Sequence, residues 1–181
     1  MSELTLNKLQ AEYLRRMQSE RLHFYEPYPA QAKFHHSQAE VRAFIAGNQS
    51  GKTFAGTVEN IWTVAKVHPF RHNYTGQVYV RDCCVSFGAI KSILVPVYKN
   101  LIPKNPGVLN GMTYCGLRGS SWDKAYSEED KTIYFADGSF IEFKTYEQGR
   151  EAHQGTQRHR VRFDEEPPRD IYEENLARQI T

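Results

Sequence analysis

The sequence predicts an α/β domain with a largely parallel sheet, and three observations predict it. Short apolar, β-branched runs alternate with segments of helical spacing. A polar, glycine-bearing loop, Ala46-Gly47-Asn48-Gln49-Ser50-Gly51-Lys52-Thr53, sits between one such run and a helical stretch. A later run, Val161-Arg162-Phe163, ends in Asp164-Glu165-Glu166. The 181 residues suffice for one domain with a short arm. A chain this size buries roughly 70% of its unfolded surface, so it can hold a core without covalent staples.

The elements follow in order. Residues 3–22 carry Leu4, Leu6, Leu9, Tyr13, Leu14 and Met17 among charges, the spacing of one amphipathic helix. It reads as a core-facing or docking helix, with a DNA-contacting arm as the other reading. Residues 1–24 are therefore set apart as a helical arm, and 25–181 as the domain. Tyr25-Glu26-Pro27-Tyr28-Pro29 breaks the helix, because each proline disfavours helix before it. Gln31–Gln38 predicts a short helix, Val41–Ala46 a buried strand, Gly47–Gly51 a loop and Lys52–Val67 a helix. Gln77–Arg81 predicts a second strand, and Phe87–Tyr98 a helix up to Pro96. Residues 103–130, with Pro103, Pro106 and several Gly and Ser, read as irregular. Asp137-Gly138 between the alternating runs at 132–135 and 140–144 predicts a hairpin. Val161–Phe163 is a short strand, and Ile171–Gln179 a last helix.

Composition excludes several classes. Hydrophobic residues are 40% and aromatics 13%, too rich for a disordered chain. Mean hydropathy is −0.64 and no apolar run approaches a membrane span. The start MSELTLNKLQ lacks a secretory pattern. The three cysteines, Cys83, Cys84 and Cys115, contain no CxxC, so neither a disulfide framework nor a zinc site is indicated. A reduced, intracellular setting is the expectation. The net charge of +2 neither announces nor excludes a nucleic-acid partner.

The chemistry concentrates in four places. The loop from Ala46 matches the phosphate-binding pattern G-x-x-x-x-G-K-[ST] except at its first position. Backbone N–H groups of Gly47, Asn48, Gln49, Ser50 and Gly51, with the following helix N-terminus, are expected to face phosphates. Lys52 would reach the β- and γ-phosphates of ATP, and Thr53 would place its hydroxyl on Mg²⁺. Ala at position 46 requires a negative φ there. Asp164, at the end of the acidic strand, would hold the metal through water. Glu165 would polarise the attacking water, while strand alternation turns Glu166 away. Gln31, ahead of the loop, carries an amide that can donate to and accept from adenine at once. The run Tyr146–Gly155 offers Arg150 in a glycine-flanked loop; a solvated arginine is the plainer reading.

The set YPAQ, AGNQSGKT, FADGSFIEFKTYEQGREAHQG and VRFDEEP together resembles the ATPase domain of the large terminase subunit of tailed bacteriophages, over roughly residues 25–175. The stretch from Asp137 through Arg150 and Gly155 to Pro167 is its most specific part. The resemblance implies a RecA-like P-loop core, cut short at its C-terminal end. It implies Mg-dependent ATP hydrolysis that drives duplex DNA, bound without sequence preference, into a procapsid. It assigns Gln31 to adenine, Lys52 and Thr53 to the phosphates and metal, Asp164 to the metal, Glu165 to the water, and Arg150 to a finger reaching a neighbour's ATP. It departs at His153, where an aromatic is common, and at Asn48 and Gln49, where Arg or Lys is common. The implied partners are like subunits in a ring, the portal protein and a small terminase subunit, with no membrane. The implied place is the host cytoplasm, transiently on the procapsid. The family's coupling strand and nuclease domain are not in these residues, so the chain is expected to be the N-terminal part of a longer protein, without nuclease activity of its own. Two other readings stand beside this one: a helicase or translocase of another P-loop family, and an ATP-binding assembly module without turnover.

Overall fold

The computed structural model describes residues 3–19, 21–47 and 49–180. Helix α1 (Glu3–Ser19) leads through a 3-10 turn (Arg21–Phe24) to α2 (Pro29–His36), and α3 (Lys52–Val64) follows the glycine-bearing loop. After β1 (Tyr79–Cys84) come α4 (Phe87–Ala89), a π-helical turn (Ile90–Leu94) and α5 (Val95–Leu101). The short strands β2 (Gly107–Leu109) and β3 (Met112–Tyr114) pair with each other. Next are α6 (Trp122–Ala125), β4 (Tyr126–Ser127), β5 (Thr132–Tyr134), β6 (Phe140–Thr145), β7 (Arg160–Phe163) and α7 (Arg169–Leu176).

The main sheet has the order β4-β5-β6-β1-β7. β1 lies parallel to both β6 and β7, while β4 and β5 continue the sheet antiparallel. The class is therefore α/β, with a five-stranded mixed sheet that is parallel at its centre. β1 is covered on both faces, as a central parallel strand must be. The core gathers Val58 and Ile61 of α3, Val80 of β1, Ile141 and Phe143 of β6, and Leu94 from the π turn. The predicted hairpin forms: β5 pairs β6, and Gly138 takes φ 86° in the turn between them. Among the described residues no helix is long and apolar enough to cross a membrane.

Several expectations need correction. Val41–Ala46 forms no strand. Burial alternates along it as in an extended chain, and Phe44 stacks on Phe34 at 5.2 Å. Yet Val41 and Ile45 are 58% and 91% exposed, and a cleft of about 860 Å³ is lined by both this segment and β7. With that space between them the segment has no strand at hydrogen-bonding distance, and apolar composition alone cannot hold a ladder. The strand expected at 77–81 runs instead from Tyr79 to Cys84, because the charged Asp82 is paired inside the protein. Pro96 does not end its helix. It falls at the start of α5 just after the π turn, where a missing N–H is tolerated. The segment 103–130 is not wholly irregular, since it holds β2, β3, α6 and β4. The apolar stripe of α1 is not in the core: Leu6, Leu9 and Leu14 are exposed, and the helix packs on the next turn, where Tyr13 meets Phe24 edge-on at 5.5 Å.

Phe143 is 1% exposed and meets the ring of Tyr98 edge-on at 5.4 Å. Phe143→Ala is expected to destabilise the fold by about 3–5 kcal/mol, the cost of a large buried cavity. A lowered urea midpoint with an unchanged slope would register it; an unchanged midpoint would place the core elsewhere.

Candidate functional site

The glycine-bearing loop is curled by two residues with positive φ, Gln49 at 62° and Gly51 at 76°. Asn48 lies outside the described residues. Gly51 is required twice over. It caps α3 in the left-handed conformation, and a Cβ there would come within 2.5 Å of Gln31 Nε2. Ala46 is not among the residues of positive φ, which meets the condition set by its methyl group. Lys52 opens α3 and folds back over the loop, with Nζ donating to the carbonyl oxygens of Ala46 at 2.6 Å and Gly47 at 2.8 Å. Ser50 Oγ is buried with no partner among the described residues. An unspent hydroxyl beside a lysine and a helix N-terminus fits an anionic ligand.

Across the cleft, the backbone N–H of Asp164 donates to the Cys83 carbonyl at 2.9 Å, which extends the β7 ladder one residue beyond the strand. The Thr53 hydroxyl donates to Asp164 Oδ1 at 3.0 Å. These two residues, 111 positions apart, thus form a pair of oxygen donors of the kind a hard divalent cation takes, with water filling its remaining positions. The residues present fit Mg²⁺ on that ground. Glu165 is exposed at the rim, and the Tyr146 hydroxyl donates to its backbone carbonyl at 2.7 Å. Glu166 is exposed beside it.

Gln31 is 3% exposed. Its Nε2 donates to the Gly51 carbonyl at 3.1 Å, and its Oε1 accepts from the Tyr28 N–H at 2.9 Å. Both ends of the amide therefore brace the loop in this structure. Arg150 lies in a 3-10 turn (Arg150–His153), with its side chain 56% exposed, and pairs with Glu174 of α7 at 2.9 Å. The structure brings Gln31, Lys52, Thr53, Asp164 and Glu165 to the loop and its facing strand end, while Arg150 is tied to α7.

Sequence reasoning missed the charged network beneath these residues. β1 sends Arg81 and Asp82 to opposite faces of the sheet. On one face Arg81, 1% exposed, donates to Glu142 at 2.5 Å, to the His153 carbonyl at 2.9 Å and to Asn175 at 2.7 Å. That guanidinium fixes the turn carrying Arg150 against α7. On the other face Arg160 and Arg162 of β7 meet α3. Arg160 donates to Asn60 at 2.8 Å and lies 3.4 Å from Glu59. Arg42 and His35 also reach Glu59, at 2.5 and 2.7 Å, and His68 at 3.2 Å. The available signal was the period-two row Arg160, Arg162, Asp164 opposite Thr53, Thr57 and Asn60 at helical spacing.

Burial alone would raise the Glu59 carboxyl. Hydrogen bonds from His35 and His68, the charge of Arg160 and the Arg42 contact outweigh it and hold the group far below the carboxylate range. Burial pushes the imidazoles of His68 and His153 down. His68 Nδ1 accepts from the Phe70 N–H, so Nε2 carries the proton given to Glu59.

No family model, curated protein or solved structure matches this chain.

The titrations set a pH profile. A histidine lowered in the fold adds stability above its ordinary value of 6.5, lost as pH falls through the folded value. A depressed carboxyl likewise adds stability above its ordinary 4.5, lost below it. Stability is expected to fall from about pH 6.5 downward and more steeply below about 4.5. Urea midpoints measured from pH 8 to 3 check this, and His68→Asn should flatten the upper part of the slope.

Proposed function

We propose that this chain is a P-loop ATPase with a RecA-like core that hydrolyses ATP with Mg²⁺. The observation that carries the reading is the Thr53–Asp164 contact at 3.0 Å, next to Lys52 at the start of α3. A loop resembling a phosphate cradle and a distant acidic strand end come within hydrogen-bonding distance, which supports a nucleotide-hydrolysing site.

Bound Mg²⁺ would supply positive charge to the phosphate oxygens, held by the Thr53 hydroxyl and the Asp164 carboxylate. Lys52 exchanges the two loop carbonyls for phosphate oxygens. Backbone N–H groups of the loop and the α3 N-terminus orient the phosphates. Glu165, exposed at the rim, orients the attacking water and takes its proton. Catalysis is then positioning and electrostatic stabilisation rather than covalent chemistry. Gln31 reads adenine by exchanging its contacts to Gly51 and Tyr28. By the motif resemblance, the enzyme belongs to a phage DNA-packaging motor at the procapsid in the host cytoplasm. It would work in a ring of like subunits with portal and small terminase subunit on duplex DNA. Arg150 would leave Glu174 to serve a neighbour's ATP. The Arg150–Glu174 pair also favours a second reading, an ATP-binding assembly module without turnover, which binding and turnover measured side by side separate.

Calorimetry with Mg-ATP tests the site. Lys52→Ala and Asp164→Asn are each expected to weaken binding about tenfold or more, the scale of one lost charge-assisted contact. Wild-type affinity in both variants would refute the assignment. In the assembled motor, Arg150→Ala is expected to lower turnover by ~10³ with little change in ATP affinity. Full turnover in that variant would remove Arg150 from the reaction.

A further inference from the structure

Arg162 stands between two carboxylates. Its side chain is 7% exposed. Nη1 donates to Asp82 Oδ2 at 2.7 Å, and Nη2 is bonded to Asp164 Oδ1, the oxygen that also accepts from Thr53. Space for the guanidinium comes from Gly56 of α3, where a methyl group would collide with Arg162 Nε. Asp82 is the direct partner of Arg162 across the β1–β7 register and is fully buried. Its Oδ2 accepts from Arg162 and from the Tyr98 hydroxyl at 2.6 Å. Its Oδ1 is buried and has no partner among the described residues.

A buried carboxylate oxygen without a donor is costly, and a second donor belongs there. Arg162, already bonded to Oδ2 of the same carboxylate, can supply that donor, since a guanidinium can offer two parallel N–H groups to one carboxylate. At present one prong of that fork is spent on Asp164.

We propose that Arg162 competes with a divalent ion for Asp164 and gates metal entry by moving its second prong to Asp82 Oδ1. The proposal rests on the ATPase reading of Thr53 and Asp164. Asp164 Oδ1 already accepts from both Thr53 and Arg162, so a hydrated divalent cation can use that oxygen only by displacing a donor, and the two positive charges repel at contact distance. Transfer to Asp82 frees Asp164, satisfies the orphaned oxygen and keeps the arginine paired throughout. Asp82 is thus a positioning residue that acts through Arg162, and metal arrival is coupled to the packing of β1, β7 and α3.

The test measures Mn²⁺ binding by electron paramagnetic resonance, with a non-hydrolysable ATP analogue present, in the 181-residue protein. Asp82→Asn removes the charge that draws Arg162 away, so Mn²⁺ affinity is expected to fall about tenfold or more. The double variant Asp82→Asn/Arg162→Gln removes the buried Asp82–Arg162 ion pair as a unit and leaves the Asp164 carboxylate to the metal, so it is expected to bind Mn²⁺ at least as tightly as wild type. It also guards against a single variant that fails to fold. Wild-type Mn²⁺ affinity in a folded Asp82→Asn protein overturns the proposal. So does a folded double variant that binds more weakly than wild type. Absence of nucleotide-dependent Mn²⁺ uptake by wild type overturns the ATPase reading itself, and the gating with it.

Discussion

A charge taken out of water must be paired, and the placement of α3 on β1 and β7 follows from that constraint. Glu59, Asp82, Arg160 and Arg162 all lie in or beside this seam. Glu59 is satisfied by Arg42, His35, His68 and Arg160, which come from four separate segments of the chain. Removing one partner would leave the others facing an unbalanced charge in a low-dielectric interior. The seam therefore fixes position more sharply than apolar packing would. Val58 and Ile61 on the adjoining face of α3 supply the burial, and burial is tolerant of small shifts where paired charges are not.

The seam also joins the two ends of the candidate site. From Gln31 bracing Gly51, contacts run through Tyr25 and His35 to Glu59. They continue through Arg160, Asn60 and Tyr98 to Asp82, and through Arg162 to Asp164. Thr53 then closes the circuit back to the loop. A displacement of Asp164 is felt at Arg162 and Asp82, because each donor in such a network has few alternatives. On the opposite face Arg81 does for the Arg150 turn and α7 what the seam does for the loop. The central strand β1 supplies both anchors through two consecutive residues of opposite charge.

The loop is held by contacts within its own chain. Lys52 rests on carbonyl oxygens of its own loop, contacts that a phosphate can replace. Among the described residues Ser50 Oγ has no hydrogen-bond partner, and Glu165 is exposed. By contrast Gln31 and Arg150 are engaged within the chain, so any role they take toward nucleotide requires exchange of existing bonds.

Local sequence determined the elements whose signals are local. The Gly51-Lys52-Thr53 junction, the amphipathic α3, the Asp137-Gly138 turn and the acidic end of β7 could all be read from neighbouring residues. A backbone conformation or a helical face depends on nothing further away. Tertiary structure decided the rest. Val41–Ala46 has strand composition, but a strand needs a partner at hydrogen-bonding distance, and the fold sets a cleft there. Leu6, Leu9 and Leu14 have helical spacing, but spacing does not say what will cover them. Asp82 falls outside the strand expected at 77–81 and Arg162 inside the one expected at 161–163, and nothing local marks them as partners until β1 and β7 are aligned. Their pairing arises between residues 80 positions apart, and only the register of two parallel strands brings opposite charges together out of water.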